Sequence, residues 1–518
     1  MDENIEKKSN RQILSGSAMA YLSLAVNIVA GMIYTPWMIR QIGQSQYGLY
    51  TLAVSLISIL MFDFGIGTAL SRFGAQYRAK NDVEGMARFY GLVNRLYLAI
   101  DGLALLVASI LFFFLGSIYN SLTANELASF RVVYVMVVGY NLFAFAYTPL
   151  NGMLNACEEF VALKFSELLT RVLTIILVVV ALTRGGGLYS LVAANIVSGA
   201  AAILFKLWVV RHRLNLRPQR DRLDLNMLRE LLSFSVWTAV MGVASTLSTG
   251  LMPSIVAIGR GSLETAIYGA ATTLNGYAYL LTAAIGGMFL PKVMRLFERE
   301  NAPQALTALA IKVGRLLMML ASLILAGFFL IGKEFFVLWM GSEYAPAYGV
   351  ACALLVAELL AAPQTVFSTA MTARGFLKPI AISNLIFSAG ILVAGCAVTR
   401  AMGAFGCGMV ICIGYLLREL ARMIFYKKYL SIDLSQYIKR IYGPMAIYFP
   451  SMLVAFLLLR GFTALNWGRL VAKGAIVCVA YLLVSVVFVM NWQERAVVTA
   501  ILKKIWAKFK GLRRRNDI

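Results

Sequence analysis

Apolar positions along this chain come in runs of about 20 residues, separated by short polar segments, from near Ile13 to Met490. A helix of about 20 apolar residues crosses the roughly 30 Å hydrocarbon core of a bilayer. No segment between the runs is long enough to form a soluble domain. The pattern therefore predicts an all-α polytopic membrane protein.

The runs divide into about fourteen predicted transmembrane helices. Their predicted bounds are 14–38, 48–71, 89–117, 130–152, 165–183, 188–210, 231–258, 267–290, 310–332, 349–372, 380–399, 404–425, 441–460 and 471–490. An even number of crossings places both termini on the same side of the membrane. The first run lacks a small-x-small cleavage pattern near its end, so it is interpreted as a span and not as a signal peptide.

The composition agrees with a membrane protein. Mean hydropathy is +0.77 and only 14% of the residues are charged, whereas a soluble domain has about a quarter. The six cysteines lie in or beside apolar segments without a CxxC pair. We interpret them as packing residues, and not as disulfide or metal sites.

The formal net charge of +23 has an explanation that does not need nucleic acid. With the N-terminus placed in the cytoplasm, the inward segments hold about 31 of the 47 lysines and arginines, as the positive-inside rule expects. The count predicts that both termini are cytoplasmic.

A basic linker divides the chain, and the segments on either side of it begin alike. Six arginines lie between Arg211 and Arg229, and two six-helix halves joined in this way are a common transporter plan. Chance similarity between two apolar segments is the alternative. The matching positions, about 220 residues apart, are Pro36 with Pro253, Ile42-Gly43 with Ile258-Gly259, and Tyr47-Gly48 with Tyr268-Gly269. The predicted organisation is a cytoplasmic N-terminus (1–13), a first lobe (14–210), the linker (211–230), a second lobe (231–425), two further helices (426–490) and a basic tail (491–518).

The tail combines an apolar helical face with lysines and arginines. This pattern predicts a helix that lies on anionic inner-leaflet lipid. A disordered basic tail is the alternative.

Arginines lie near the predicted cytoplasmic ends of several spans. Guanidinium groups that converge on one inward vestibule would bind phosphate oxygens in bidentate geometry. The alternative is snorkelling, in which each long side chain simply reaches the headgroups. Glu167 and Arg171 are spaced i,i+4 and can pair on one helix face. The candidate anion-binding residues are Arg72, Arg95, Arg171, Arg418 and Arg422.

Three acids, Asp63, Asp101 and Glu358, lie deeper in their spans. Ionisable groups inside a bilayer are costly and are functional candidates by default. A carboxylate that changes protonation between two conformations would couple transport to an ion gradient. The alternative for each acid is a structural ion pair.

Several signals of enzymes are missing. The chain has no GxxxxGK[ST] loop, and its single histidine, His212, has no metal-ligand partner pattern. The longest outward loop, around Lys333 to Tyr348, is predicted to have only about 16 residues, shorter than a glycan polymerase or ligase would need. We therefore expect a transporter without a cofactor, driven by a proton or a sodium ion.

Three short motifs resemble a known family. Tyr47-Gly48-Leu49-Tyr50, Asp63-Phe64-Gly65-Ile66-Gly67 and Arg72-Phe73 resemble the second-helix region of Wzx-type O-antigen flippases. These belong to the polysaccharide-export branch of the multidrug/oligosaccharidyl-lipid/polysaccharide (MOP) transporter superfamily. The resemblance implies two six-helix lobes in a V-shaped, MATE-like arrangement around a central cationic cavity. Because Asp63 and Arg72 stand at matching motif positions, the resemblance implies functional roles for these two residues.

The same resemblance implies a protein of the bacterial inner membrane that flips an undecaprenyl-pyrophosphate-linked oligosaccharide to the periplasmic leaflet. The arginines would then bind the pyrophosphate. Glycan polymerase and chain-length regulator proteins are possible partners, and nucleic acid is not. A lipid II flippase is a close alternative. A MATE-type multidrug or cation antiporter is disfavoured because a basic vestibule repels cations. A non-transporting scaffold would leave the deep acids unexplained.

Overall fold

The computed structural model describes residues 2–60, 63–219, 225–286, 289–297, 301–459, 461–462, 466–492 and 494–495. Across these ranges the regular structure is helical. The α-helices are α1 (Asp2–Ile42), α2 (Gln44–Leu60), α3 (Ile66–Ala79), α4 (Val83–Ile118), α5 (Ala124–Ala146), α6 (Pro149–Ala156), α7 (Phe160–Thr183), α8 (Leu188–Trp208), α9 (Leu225–Ser245), α10 (Met252–Gly286), α11 (Leu290–Leu296), α12 (Ala302–Met340), α13 (Ala347–Ala361), α14 (Thr365–Ala373), α15 (Leu377–Leu430), α16 (Leu434–Ile441), α17 (Met445–Leu459) and α18 (Trp467–Val484).

In the described part of the chain, eleven helical segments are long and apolar enough to cross a membrane. Two of them, Ser235–Ala283 and Leu377–Leu430, contain 49 and 54 residues. At 1.5 Å per residue each would measure about 70–80 Å, more than twice the hydrocarbon core. Both contain a glycine with positive φ, Gly261 at 80° and Gly403 at 58°. Each segment therefore accommodates two crossings, with a turn at its glycine.

A third interruption lies between α2 and α3, where Phe64 and Gly65 have positive φ. Together α2 and α3 form one broken crossing. With these divisions the helices accommodate the fourteen predicted spans, although the number itself stays a prediction. The corresponding helix of the second half, α10, ends at Gly286 and is followed by α11 from Leu290.

The two halves of the chain meet along α2 and the two arms of α10. Thr51 of α2 lies against Gly269 in the second arm, and Ser55 bonds Ser254 in the first arm at 3.0 Å. A Cβ on Gly48 would collide with the carbonyl of Ser262. The Tyr-Gly pairs of the repeat therefore allow close packing between the halves. The predicted loop after Ile258-Gly259 is a one-residue turn at Gly261.

The predicted outward loop from Lys333 to Tyr348 is wrong. Helix α12 continues to Met340, and α13 begins at Ala347. Phe336 and Trp339 are buried, and Glu334 is paired with Lys473 at 2.9 Å. One of the two charges that suggested a loop, Glu334, is therefore paired within a helix.

The C-terminal part of the chain is bonded to helix α12. Arg315 donates to the Glu494 carboxylate at 2.6 and 2.8 Å, Ser322 bonds Tyr481 at 2.5 Å, and Lys473 pairs with Glu334. The three contacts lie at successive levels of α12. Most of the predicted amphipathic tail, 491–518, falls outside the described residues.

Candidate substrate-binding site

Arg171 of α7 lies between the two halves of the molecule. Its guanidinium carbon is 5.9 Å from the centroid of the Tyr34 ring on α1. The hydroxyl of Tyr277, on α10 of the second half, lies beside the Arg171 guanidinium and Thr35. The Nε atom of Arg171 is buried without a hydrogen-bond partner in the described chain. A cation with spare donor capacity therefore lies at the junction of α1, α7 and α10.

The expected pairing of Glu167 with Arg171 does not form. Glu167 bonds the Lys164 ammonium at 2.9 Å instead. No ion pair of Arg171 occurs among the residues that the structure describes, so no described carboxylate neutralises its charge. Tyr50 also lies within its electrostatic range. Three tyrosines, from α1, α2 and α10, thus surround one free arginine.

Arg418 and Arg422 meet elsewhere, in the second half, on either side of Glu419. Arg418 donates to Glu419 Oε1 at 2.9 and 3.0 Å, and Arg422 donates at 2.8 Å. Arg422 also donates to the amide oxygen of Asn384 at 2.7 Å. Because Glu419 is fully buried between them, these two arginines are neither snorkelling nor free.

Glu358 is close to that cluster. Its carboxylate accepts from Thr282 of α10 at 2.6 Å and lies within electrostatic range of Arg418 and Glu419. In the described residues its hydrogen-bond partner is a neutral hydroxyl. The charges of Arg418, Arg422, Glu419 and Glu358 cancel when all four are ionised.

Asp63 lies in the break between α2 and α3. Its carboxylate accepts from the Tyr97 hydroxyl and, at 3.2 Å, from the backbone N–H of Gly67. A Cβ on Gly65 would collide with Thr238 of α9. The break therefore touches the second half directly, beside a carboxylate that has neutral partners.

Asp101 is on α4, one helical turn beyond Tyr97. It is buried, and its Oδ1 atom has no hydrogen-bond partner among the described residues. Residues spaced i,i+4 share a helix face, so Tyr97 and Asp101 place polar groups on the same side of α4.

Arg72 and Arg95 are not part of either arginine cluster. Arg72 is exposed on α3, with its guanidinium carbon 5.9 Å from the Phe73 ring centroid. Arg95 is half-buried on α4. The described contacts join neither residue to Arg171 or to Arg418. The five predicted arginines are therefore not gathered in one site.

The far side of the bundle, opposite the linker, is sealed by hydrogen bonds between the halves. Glu126 of α5 accepts from Ser45 at 2.5 Å and from Ser262, while its other oxygen accepts from Thr123 at 2.9 Å. The indole N–H of Trp339 donates to the Met32 carbonyl at 2.6 Å. Helices α1, α2 and α5 are thus held to α10 and α12.

Sequence reasoning missed Glu419, Glu126 and Tyr277. Glu419 lies directly beside Arg418 in an apolar helix, and that pattern could have found it. Glu126 follows Thr123 at capping-box spacing. That spacing indicates the start of a helix, but it does not indicate that Glu126 contacts the second half of the chain. Nothing local marks Tyr277 as the neighbour of Arg171.

The sequence profile of a family described as "Polysaccharide biosynthesis protein" matches residues 14–297. No curated protein sequence matches the chain significantly.

Solved structures share the fold at low sequence identity. The lipid II flippase MurJ, in an inward closed conformation, has a TM-score of 0.69 at 14% identity, over 91% of this chain and 98% of that one. An inward-facing multidrug resistance MATE family transporter has a TM-score of 0.59 at 16% identity, over 77% and 97%. A MOP superfamily transporter from Pyrococcus furiosus has a TM-score of 0.57 at 15% identity, over 82% and 96%.

The family profile covers more than half of the chain, and the structural likeness extends over most of it. This multi-pass membrane protein therefore belongs to the polysaccharide biosynthesis protein family and has the fold of the MOP superfamily transporters.

Proposed function

We propose that this protein is a flippase for an undecaprenyl-pyrophosphate-linked oligosaccharide, which it moves from the cytoplasmic to the periplasmic leaflet of a bacterial inner membrane. The observation that carries the proposal is Arg171, an uncompensated arginine between the halves of a MOP-type fold. Membership of a polysaccharide biosynthesis family supports a glycan as the cargo.

Arg171 suits a pyrophosphate for chemical reasons. Its guanidinium presents planar donors that match phosphate oxygens, and such charge-assisted bonds are roughly twice as strong as neutral ones. Its Nε has no partner, and the nearby carboxylate, Glu167, is taken by Lys164. The hydroxyls of Tyr34, Tyr50 and Tyr277 would supply further hydrogen bonds to phosphate or sugar.

The seal on the far side supports loading from the cytoplasm. If the linker side is cytoplasmic, as its arginines predict, the contacts of Glu126 and Trp339 close the periplasmic side. Release would then require these contacts to separate while the linker side closes.

Asp63 and Glu358 are the best candidates for coupling this motion to a proton or a sodium ion. Their hydrogen-bond partners are neutral, namely Tyr97 and Gly67 for the first and Thr282 for the second. Either carboxylate can therefore take up a cation without breaking an ion pair. Glu419, by contrast, is bonded to two guanidinium groups.

Purified protein in proteoliposomes tests the proposal. The vesicles would carry undecaprenyl-pyrophosphate oligosaccharide, and a membrane-impermeant sugar oxidant would report its exposure. We expect protein-dependent exposure that Arg171→Ala reduces by about 10- to 100-fold and that Arg171→Lys restores only in part, since lysine lacks the bidentate fork.

Arg184→Ala is the matched control. Arg184 is exposed at the other end of the same helix, so its loss should leave transport unchanged. Normal transport by Arg171→Ala would remove the basis of the proposal.

The same vesicles separate the related substrates. Selective transport of lipid II would reassign the cargo within the flippase class. Gradient-driven efflux of a cationic dye, without glycan exposure, would favour the antiporter instead.

A further inference from the structure

The carboxylate of Glu419 binds the two C-terminal-half arginines in the way that an anionic ligand would. Its Oε1 atom accepts three hydrogen bonds, at 2.8 to 3.0 Å, and Oε2 accepts one more from Arg422 at 3.1 Å. The Glu419 side chain is 1% exposed, whereas Arg418 and Arg422 remain 13% and 14% exposed. The arginines are thus reachable from a side where the carboxylate is not.

Other groups hold both guanidinium groups independently of Glu419. The Arg418 guanidinium carbon lies 3.9 Å from the Tyr415 ring centroid, and the Tyr415 hydroxyl is 3.1 Å from Ser248 Oγ. Arg422 is bonded to Asn384. Removal of the Glu419 charge would therefore leave two positioned cations with free donors.

The cluster also has unused donor capacity. Arg422 Nε is buried and has no hydrogen-bond partner in the described chain. A buried ion cluster contributes little to stability compared with an apolar replacement, so stability alone explains three charges here poorly. The arrangement is better suited to binding an anion that brings more oxygens than one carboxylate.

We infer that Arg418 and Arg422 form a second anion site, specific for a diphosphate group, which Glu419 occupies in this conformation. The identity of the ligand rests on the proposed function. The two guanidinium groups would take the diphosphate oxygens in place of Glu419 Oε1 and Oε2. Because Glu419 is tethered beside the arginines, its effective concentration is high and it excludes weakly bound anions.

The site is therefore masked until Glu419 moves away, and Arg171 remains the first contact for the substrate. Glu358, held by Thr282 in the same region, would then face two arginines that carry the substrate. The masking would prevent phosphate and other small cytoplasmic anions from filling the second site permanently.

Binding of inorganic pyrophosphate to the full-length protein in detergent tests the inference. Glu419→Gln keeps the shape of the side chain and removes the competing charge. We expect pyrophosphate to bind about 10- to 100-fold more tightly to this variant than to the wild type, the range that one charge-assisted hydrogen bond provides.

Glu494→Gln is the matched control. It releases the guanidinium of Arg315 from a similar bidentate pair, but Arg315 also donates to the carbonyls of Arg440 and Val489 and remains held by these two bonds. Pyrophosphate affinity should stay at the wild-type value.

Two further variants locate the effect. Arg418→Gln combined with Glu419→Gln should abolish the gain, whereas Arg171→Ala combined with Glu419→Gln should keep it. If Glu419→Gln does not fold, Glu419→Asp keeps the charge on a shorter side chain that cannot bridge both arginines, and it should produce a smaller gain.

The inference is overturned if folded Glu419→Gln binds pyrophosphate like the wild type, if Glu494→Gln gains equally, or if the gain persists without Arg418. Thermal unfolding establishes that each variant is folded. The binding assay involves no translocation, so failure of the glycan-flipping assay and failure of this inference are separate results.

Discussion

At Gly31, one hydrogen atom controls how closely the two halves approach Arg171. A Cβ at this position would collide with the Tyr277 hydroxyl and lie 2.8 Å from Arg171 Nη2. A side chain on α1 would therefore push α10 and the guanidinium away from their present positions. The small residue is required by this contact between halves and not by backbone conformation.

We predict that Gly31→Ala reduces glycan flipping by about 10- to 100-fold, because a displacement of about 1 Å at a binding group has effects of this size. The protein should still fold. Gly276→Ala is the control, since a Cβ there meets open space and alanine favours the helix. Equal flipping by the two variants would show that the Gly31 contact is not needed.

Asp63 provides a test of ion coupling at a single residue. Asp63→Asn keeps the shape of the side chain but removes its charge, so we expect flipping that an imposed proton or sodium gradient no longer stimulates. Tyr97→Phe removes only the phenolic donor and should retain the stimulation. Undiminished stimulation of the Asp63→Asn variant would assign the coupling to another residue.

Individual residues differ in how far the sequence could predict their surroundings. The position of Asp63 in a helix break follows from its own neighbours, because glycines stand two and four residues after it. Arg171 could be predicted as a cation in a span, but its tyrosine partners come from helices more than 100 residues away. Side-chain direction within an apolar helix has no periodic signal when the polar residues are so few.

Among the helices, the seal made by α2, α5 and α10 depends on one carboxylate. Glu126 accepts hydrogen bonds from both halves of the chain. We predict that Glu126→Ala opens the far side and raises the labelling rate of a cysteine at position 35 by an externally added maleimide about tenfold, the effect of losing a charge-assisted bond.

Glu343→Ala is the control for this experiment, because Glu343 is exposed on the same side. Its loss should leave the labelling rate unchanged. A labelling rate in Glu126→Ala equal to that of the wild type would assign the closure to other contacts, such as Trp339 with Met32.

The attachment of α18 to α12 allows a prediction of stability. Lys473 is 6% exposed and bonded to Glu334. Lys473→Met leaves a carboxylate without its partner and should lower the free energy of unfolding by about 3–5 kcal/mol. Lys473→Met combined with Glu334→Leu should return it close to the wild-type value. Denaturant unfolding in detergent measures both, and a stable single variant would show that the pair is solvated.

At the scale of helices, hydropathy located the spans but not their ends. Lys333 and Glu334 were assigned to a loop because charge interrupts an apolar run, yet Glu334 is neutralised by a lysine 139 residues later. The turns at Gly261 and Gly403 are single residues, shorter than the polar loops that separate most spans. In both cases, contacts between distant segments determine where the helices end.

For the whole molecule, the orientation in the membrane remains to be tested. We predict that single cysteines at positions 184 and 400 react with an impermeant maleimide in intact cells, and that cysteines at 217 and 428 react only after permeabilisation. The basic segments should stay on the cytoplasmic side. Labelling at 217 in intact cells would reverse the orientation, and one discordant position would change the number of crossings.

The resemblance in three short motifs was sufficient to predict the superfamily fold. It did not predict which charges are free. Arg171 and Arg418 have similar depth in their spans, but one is uncompensated and the other is neutralised by Glu419. The Arg418–Glu419 pair is local, whereas the neighbours of Arg171 come from distant helices.

The composition of the interface between α2 and α10 also affects the free energy needed to separate the two halves. Part of it consists of glycines, which allow close approach, and of serines joined by hydrogen bonds. When these polar contacts separate, water replaces each lost hydrogen bond at little net cost. Substitutions that replace these polar contacts with apolar ones should therefore stabilise the present conformation and slow transport. Stability and transport rate are opposed at this interface.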